Sequence, residues 1–234
     1  MGDTEERGYG LSDVGASASI DAPEYDYVPR MPEKYRPKVG LVGCGGISEY
    51  HLRAYMNLGL DVVALCDVNK VSAEARRDEF YPKAEVYTDY SELLGRDDID
   101  VVDATTHPPE RVAIIEAALM QGKHVLSQKP FVMDLDEGER LADLADAQGK
   151  LLAVNQNGRW APHFSYMRNA IDAGVIGTVS SVNFSLQWDH TWVAGTPFDE
   201  LRHLILMDFG VHWFDMCTVF FGDRPPLSVS ANVA

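Results

Sequence analysis

Cysteine is scarce and scattered in this chain. Cys44, Cys66 and Cys217 form no CxxC pair and leave an odd total, which argues against a disulfide framework and a zinc knuckle and fits reducing surroundings. Basic residues are outnumbered, with 20 Lys and Arg against 36 Asp and Glu, for a net charge of −16. Such a chain is repelled by phosphates, so neither nucleic acid nor an anionic membrane is expected as a partner. No apolar run approaches the roughly 18 residues of a membrane span. The opening MGDTEERGYG has no basic start followed by an apolar run, and it lacks the Ser or Thr of a myristoylation signal. A cytoplasmic location is the expectation.

What is present is the composition of a folded protein: 46% of the 234 residues are hydrophobic and 10% are aromatic. Residues 1–36 stand apart. They are rich in Gly, Ser, Asp, Glu and Pro, and Pro23, Pro29 and Pro32 interrupt any helix, so the stretch reads as a flexible leader. Tyr25, Tyr27, Val28 and Tyr35 are its candidates for packing on the body or on a partner.

From Lys38 onward strand and helix signals alternate. The apolar strand Val39–Val42 runs into Gly43, Cys44, Gly45, Gly46, Ile47 and Ser48, after which an amphipathic helix begins. This is the strand, glycine turn and helix start that seats a pyrophosphate: Gly43 for the tight turn, Gly45 for close backbone approach, and free N–H groups at a positive helix end. Ser48 stands where the third glycine of GxGxxG would be. Further strands are expected at Asp61–Cys66, Asp100–Asp103, His124–Leu126 and Leu151–Val154, with helices at Val71–Phe80, Glu110–Gln121 and Asp136–Ala147 between them. Strands separated by helices of this length imply a doubly wound parallel sheet covered on both faces. Asp67, just past the second strand, can accept both adenosine ribose hydroxyls of NAD and repel the 2′-phosphate of NADP. A plain helix-capping role for Asp67 is the alternative.

The pattern changes after about residue 160. Ser181–Trp188 alternates strictly, with Val182, Phe184, Leu186 and Trp188 on one face, and Leu227–Ala234 does the same. These read as half-buried antiparallel strands of a second domain, with a helix over about Leu206–Phe220 between them. Two strands and one helix cannot cover their own apolar faces, so the second domain reads as incomplete and the chain as truncated. The expected division is a leader at 1–36, a Rossmann domain at 37–157, and a partial substrate and oligomerisation domain at 158–234.

Two stretches carry candidate chemistry. In LSQKPF, Lys129 lies just past a parallel strand, where open α/β sheets place ligands, and it is either a catalytic amine or a surface lysine braced by Pro130. In DFGVHWFD, Asp208, His212 and Asp215 fall at i, i+4 and i+7, on one helix face. That face admits three readings: a metal site, for which the remaining ligands are not evident; a network satisfying a half-buried histidine; or a general base flanked by substrate-binding carboxylates, favoured if Lys129 faces it.

Together KVGLVGCGGIS, Asp67, TTHPPE at 105–110, AALMQGKHVLSQKP at 117–130, VNQNGRWAP at 154–162 and DFGVHWFD at 208–215 resemble the GFO/IDH/MocA family of glucose-fructose oxidoreductases and inositol dehydrogenases. The resemblance implies a Rossmann domain followed by an α+β domain with an open antiparallel sheet that often forms an oligomer interface, so a homo-oligomer is expected of the full-length form. The family's EKP motif, whose Lys touches nicotinamide and substrate, corresponds to Gln128, Lys129 and Pro130. Its DxGxH motif corresponds to Asp208, Gly210 and His212. Thr105, Thr106 and His107 would border the nicotinamide-side ribose, and Asn157 would border the substrate. Gln128 departs from the family's Glu, removing a charge beside Lys129 while keeping a hydrogen-bonding side chain.

The implied activity is hydride transfer between NAD and a hydroxyl carbon of a sugar, cyclitol or polyol. Lys129, His212 and Asp208 would be catalytic, no metal is called for, and Lys129, Asn157, Asp208 and His212 would hold the substrate. An NAD-dependent glycosidase of the same family, or a nucleotide-binding protein without turnover, are the alternatives.

Overall fold

The computed structural model describes residues 21–189, 191–200, 203–222 and 224–232. Its centre is a parallel sheet of β1 (Lys38–Val42), β2 (Asp61–Cys66), β3 (Glu85–Tyr87), β4 (Val101–Ala104), β5 (His124–Ser127) and β6 (Leu152–Val154), in the order β3-β2-β1-β4-β5-β6. Between them run α1 (Gly46–Leu58), α2 (Lys70–Phe80), α3 (Tyr90–Leu94), α4 (Pro108–Met120) and α5 (Leu135–Ala147). The strand order reverses between β1 and β4, which makes the carboxyl ends of these two strands the topological switch point.

The central strands are apolar because both faces are covered. On one side α1 and α2 bury Leu52 and Ala73 against Val39, Leu41, Val62 and Leu65. On the other side Ile114, Ile115 and Leu141 of α4 and α5 pack on Val42, Val102 and Val125. A fully buried leucine such as Leu41 or Leu65 contributes about 1.5–3 kcal/mol. Local signals set the helix starts: Asn69, Asp89 and Asp134 each cap a free N–H with a side-chain oxygen, and Pro108 and Pro109 begin α4 where no N–H partner is needed.

The ladder continues one residue past the strands. Gly43 N–H donates to the Cys66 carbonyl (2.8 Å), Thr105 to Val42 (2.8 Å), Gln128 to Ala104 (3.0 Å) and Asn155 to Ser127 (2.7 Å). This brings the four loop residues level along one edge of the sheet, the edge on which the site is built.

Beyond β6 lie α6 (Pro162–Asp172) and α7 (Val211–Phe221), which pack on each other around Met216 and Phe220. The predicted helix over 206–220 is present, but its first turn, Ile205–Gly210, is a π-helical turn. The two alternating stretches expected as strands differ from expectation: among the described residues neither 181–188 nor 227–232 takes part in a sheet, and residues 233–234 lie outside the described residues. A strand exists by pairing, and neither stretch meets a partner. The alternation still acts at its start, where Val182 and Phe184 are half-buried and Phe184 stacks near Phe220 (ring centroids 6.4 Å apart). Leu186, Trp188, Leu227 and Val229 remain exposed.

Of the predicted leader, residues 1–20 lie outside the described residues. Residues 21–36 form no helix or strand, yet they are held on α6: Ser165 Oγ donates to the Tyr27 carbonyl (2.7 Å), Tyr166 Oη to the Pro23 carbonyl (2.8 Å), and Tyr25 meets the Tyr166 ring edge-on.

Candidate active site

Gly43 takes φ +105, and a Cβ there would lie 2.7 Å from the Thr106 backbone nitrogen, so only glycine lets the β1 loop press against the β4 loop. Thr105, buried, stitches the two loops by donating its hydroxyl to the carbonyls of Val42 and Gly43. Ser48 is fully buried and donates to the Gly45 carbonyl (2.6 Å), doing the close-packing job of a third glycine. A Cβ on Gly45 or Gly46 would meet nothing within 4 Å, and α1 starts without any side-chain cap. The turn therefore presents an open cradle ending in backbone donors, which suits a pyrophosphate.

Asp67 sits just beyond β2 beside this turn. One carboxylate oxygen accepts the Cys44 N–H (2.7 Å) and the other accepts the Asn69 N–H (2.8 Å). The Cys44 N–H is thus used within the protein, while each carboxylate oxygen retains capacity for a ribose hydroxyl. The helix cap itself is Asn69. The thiols of Cys44 and Cys66 are pushed up to about 12, chiefly by burial, and are inert.

The turn opens into a cleft of about 770 Å³. Gly45, Gly46 and Ile47 form one end, and Thr105, Thr106, His107, Gln128 and Lys129 form its floor. Trp188, Trp192, Phe198, Asp208 and Phe209 form the opposite wall. Lys129 reaches across it: Nζ lies 2.7 Å from Asp208 Oδ1 and 3.1 Å from the Asp208 carbonyl, and 5.9 Å from the centre of the Phe209 ring. Residues 79 positions apart in the chain are so brought into contact.

His212 follows Asp208 by one turn. Gly158 comes so close that a Cβ there would lie 3.1 Å from His212 Nδ1, and that nitrogen is buried without a hydrogen-bond partner. Nε2 is therefore the nitrogen left for a ligand, while His212 itself is not among the residues that line the cleft. Burial, and then the Lys129 charge, hold the imidazole below its ordinary pKa against the opposing pull of Asp208 and Asp215, so it is neutral at neutral pH and ready to accept a proton. Asp215 is not a free carboxylate of the site: it pairs with both Arg159 Nε (2.9 Å) and Nη2. Asn157, expected at the substrate, lines a separate cavity of about 450 Å³ that shares Ile47 and Gln128 with the main cleft.

Two groups escaped the sequence reading. Arg111 of α4 is buried and donates to the carbonyls of Thr106, Gln128 and Pro130, clamping the loops after β4 and β5 together. Burial, eased by the charges of Asp103 and Glu110, pushes its guanidinium down to about 10. His51 and Asp103, both buried, meet at 2.7 Å beneath α1. A charged residue in the otherwise apolar run Val101–Ala104 (VVDA) was the available signal for Asp103; nothing local marked Arg111.

Residues 37–156 match the GFO/IDH/MocA family described as "Oxidoreductase family, NAD-binding Rossmann fold", and residues 164–234 match the GFO/IDH/MocA C-terminal domain. The chain is 29% identical over 199 residues to D-apiose dehydrogenase of Paraburkholderia graminis, covering 84% of this chain and 53% of that protein. It is 31% identical over 201 residues to inositol 2-dehydrogenase of Rhizobium meliloti, covering 84% of this chain and 58% of the relative. The fold is similar to that of scyllo-inositol dehydrogenase from Lactobacillus casei with bound NAD(H) and scyllo-inositol. The TM-score is 0.72 at 22% identity, over 80% of this chain and 57% of that one. The chain spans about half the length of the curated relatives it matches.

Proposed function

Because the chain belongs to the GFO/IDH/MocA oxidoreductase family, with an NAD-binding Rossmann fold at residues 37–156, we propose that it transfers a hydride between NAD and a hydroxyl carbon of a sugar, cyclitol or polyol. The observation that carries the reading is the Lys129–Asp208 contact of 2.7 Å in the cleft that begins at the glycine turn, with His212 one turn on and close enough for the Lys129 charge to hold its imidazole pKa down. NAD, when bound, supplies the hydride acceptor. The glycine cradle and Asp67 suit its pyrophosphate and adenosine ribose, and the Asp67 carboxylate disfavours the extra phosphate of NADP.

The protein's own groups divide the remaining work. Lys129 Nζ donates a hydrogen bond to the substrate oxygen and stabilises the negative charge that grows there as its proton leaves. Asp208 holds that ammonium in place and keeps a second carboxylate oxygen for a neighbouring hydroxyl. His212 accepts the hydroxyl proton at Nε2, and in the reverse direction returns it. The aromatic wall of Trp188, Trp192 and Phe209 limits water around the reacting centre. Residues 37–157 act as the cofactor part and residues from 158 onward as the substrate part, and the full-length form is a cytoplasmic homo-oligomer.

The test is NADH formation at 340 nm from a panel of inositols and aldoses, with NADP run in parallel. NAD-dependent turnover that vanishes in Lys129→Ala supports the reading. Tight NADH binding without turnover of any polyol overturns it.

A further inference from the structure

Beneath the Lys129 loop lies a buried hydrogen-bond chain whose donors and acceptors can be assigned without seeing a hydrogen. Lys129 backbone N–H has only a donor, and it points at Gln128 Oε1 (2.6 Å). The Gln128 amide is thereby oriented, with Nε2 facing His51 Nε2 at 2.9 Å. An amide nitrogen is a donor, so His51 Nε2 must be the bare nitrogen. Asn155 Nδ2, at 3.1 Å, shares the same lone pair. The imidazole proton is then on Nδ1, which faces the fully buried Asp103 carboxylate at 2.7 Å. Tyr55 Oη donates to that same carboxylate oxygen (2.7 Å), and burial with the Asp103 charge keeps the phenol protonated. Arg111 is the nearby cation that offsets Asp103.

We infer that His51 is a positioning residue for Lys129: a neutral imidazole, fixed as the Nδ1–H tautomer by Asp103, that orients Gln128 and through it the backbone of the lysine that crosses the cleft. The chain joins α1, β4 and the ends of β5 and β6, so it ties the lysine loop to the rigid sheet and not to the loop's own neighbours. It also accounts for glutamine at position 128. A carboxylate there could only accept, and His51 would have to carry two protons to serve Asp103 and residue 128 together. The neutral amide and the neutral imidazole are a matched pair.

The inference rests on the hydride-transfer reading for its functional half and on geometry alone for its structural half, and the experiment separates the two. Nitrogen-15 NMR of the His51 ring in the wild-type chain should show a protonated Nδ1 and a bare Nε2 at neutral pH. In Gln128→Glu the same ring should become the doubly protonated imidazolium. A wild-type ring protonated at Nε2, or one unchanged in Gln128→Glu, overturns the assignment whatever the enzyme's substrate. In turnover, His51→Ala, which breaks the chain, should lower kcat by about 10- to 100-fold with the NADH dissociation constant near wild type, while Gln128→Glu, in which the imidazolium still bridges Asp103 and residue 128, should keep most of it. Wild-type kcat in His51→Ala with the NMR signature present would sink the positioning role alone. Far-ultraviolet circular dichroism checks that each variant is folded.

Discussion

The sheet region, residues 38–157, and the region after it, residues 158–232, solve the same problem with opposite success. In the first, every strand finds a partner on at least one edge and every apolar face finds a helix. In the second, α6 and α7 find each other, while the alternating stretches around Phe184 and Val229 find no strand to pair with among the described residues. Alternation of apolar and polar residues therefore specifies which side of a segment is apolar, and pairing must still be supplied from elsewhere. The candidate cleft lies between the two, with the glycine turn at one end on the paired region and its far wall on the other.

The sharpest way to break this contrast is amide hydrogen exchange. Amides of β1, β4 and β5 should be protected at least about 10⁴-fold more than those of 181–188 and 227–232. Comparable protection would mean that the second region pairs in solution. The joint between the regions is probed next: Lys129→Ala should lower turnover by about 10²–10⁴-fold while NADH affinity, measured by fluorescence titration, stays near wild type. A loss of both would show that the lysine belongs to the cofactor end alone. Asp67→Ala acts on the paired region only. It should weaken NADH binding by about tenfold, consistent with loss of one charge-assisted hydrogen bond, and narrow the preference over NADPH. Unchanged affinity for both nucleotides would remove Asp67 from the site.

The smallest effect concerns His212 and pH. Its folded pKa lies below the ordinary value of 6.5, so the imidazole stays neutral as pH falls through 6.5 and takes up its proton only below. Alcohol oxidation should accordingly hold level to below pH 6.5 before declining. The unfolded chain binds that proton more readily, so folding stability should fall modestly over the same acidic window. A decline in kcat/KM that begins above pH 6.5 would identify another base.

Most of the sheet was legible because its signals are local. Apolar runs located β1 and β2, and α4 begins within two residues of the expected Glu110. β3 was missed because three residues, Glu85–Tyr87, are too few for a periodicity to register. α6 was missed although Pro162 offered a start signal, because its buried positions, Ser165 and Ala170, are small and leave no apolar stripe in the sequence. In the site, the glycine turn and the residue types of Lys129, Asp208 and His212 were legible. Their meeting was expected only through the family resemblance, since a contact across 79 residues is set by the whole fold and leaves no local signal. Asp215 shows the limit of helical spacing: it does share the face with His212, yet Arg159, from another turn, claims it. His51 and Asp103 were hidden because a buried polar pair has no spacing in sequence.

The π-helical turn at Ile205–Gly210 makes the site sensitive to residue count as well as residue identity. A π turn holds one residue more than an α turn, so this segment stands a single deletion away from a regular helix. Removing one residue between Asp208 and Val211 would leave the helix intact but put Asp208 three positions before His212 instead of four and so change the angle between the two side chains. Such a deletion variant should keep its helical circular dichroism and its affinity for NADH while losing the Lys129–Asp208 pair, and with it turnover. The face that carries Asp208 and His212 is thus set by the length of this segment as well as by its residue types.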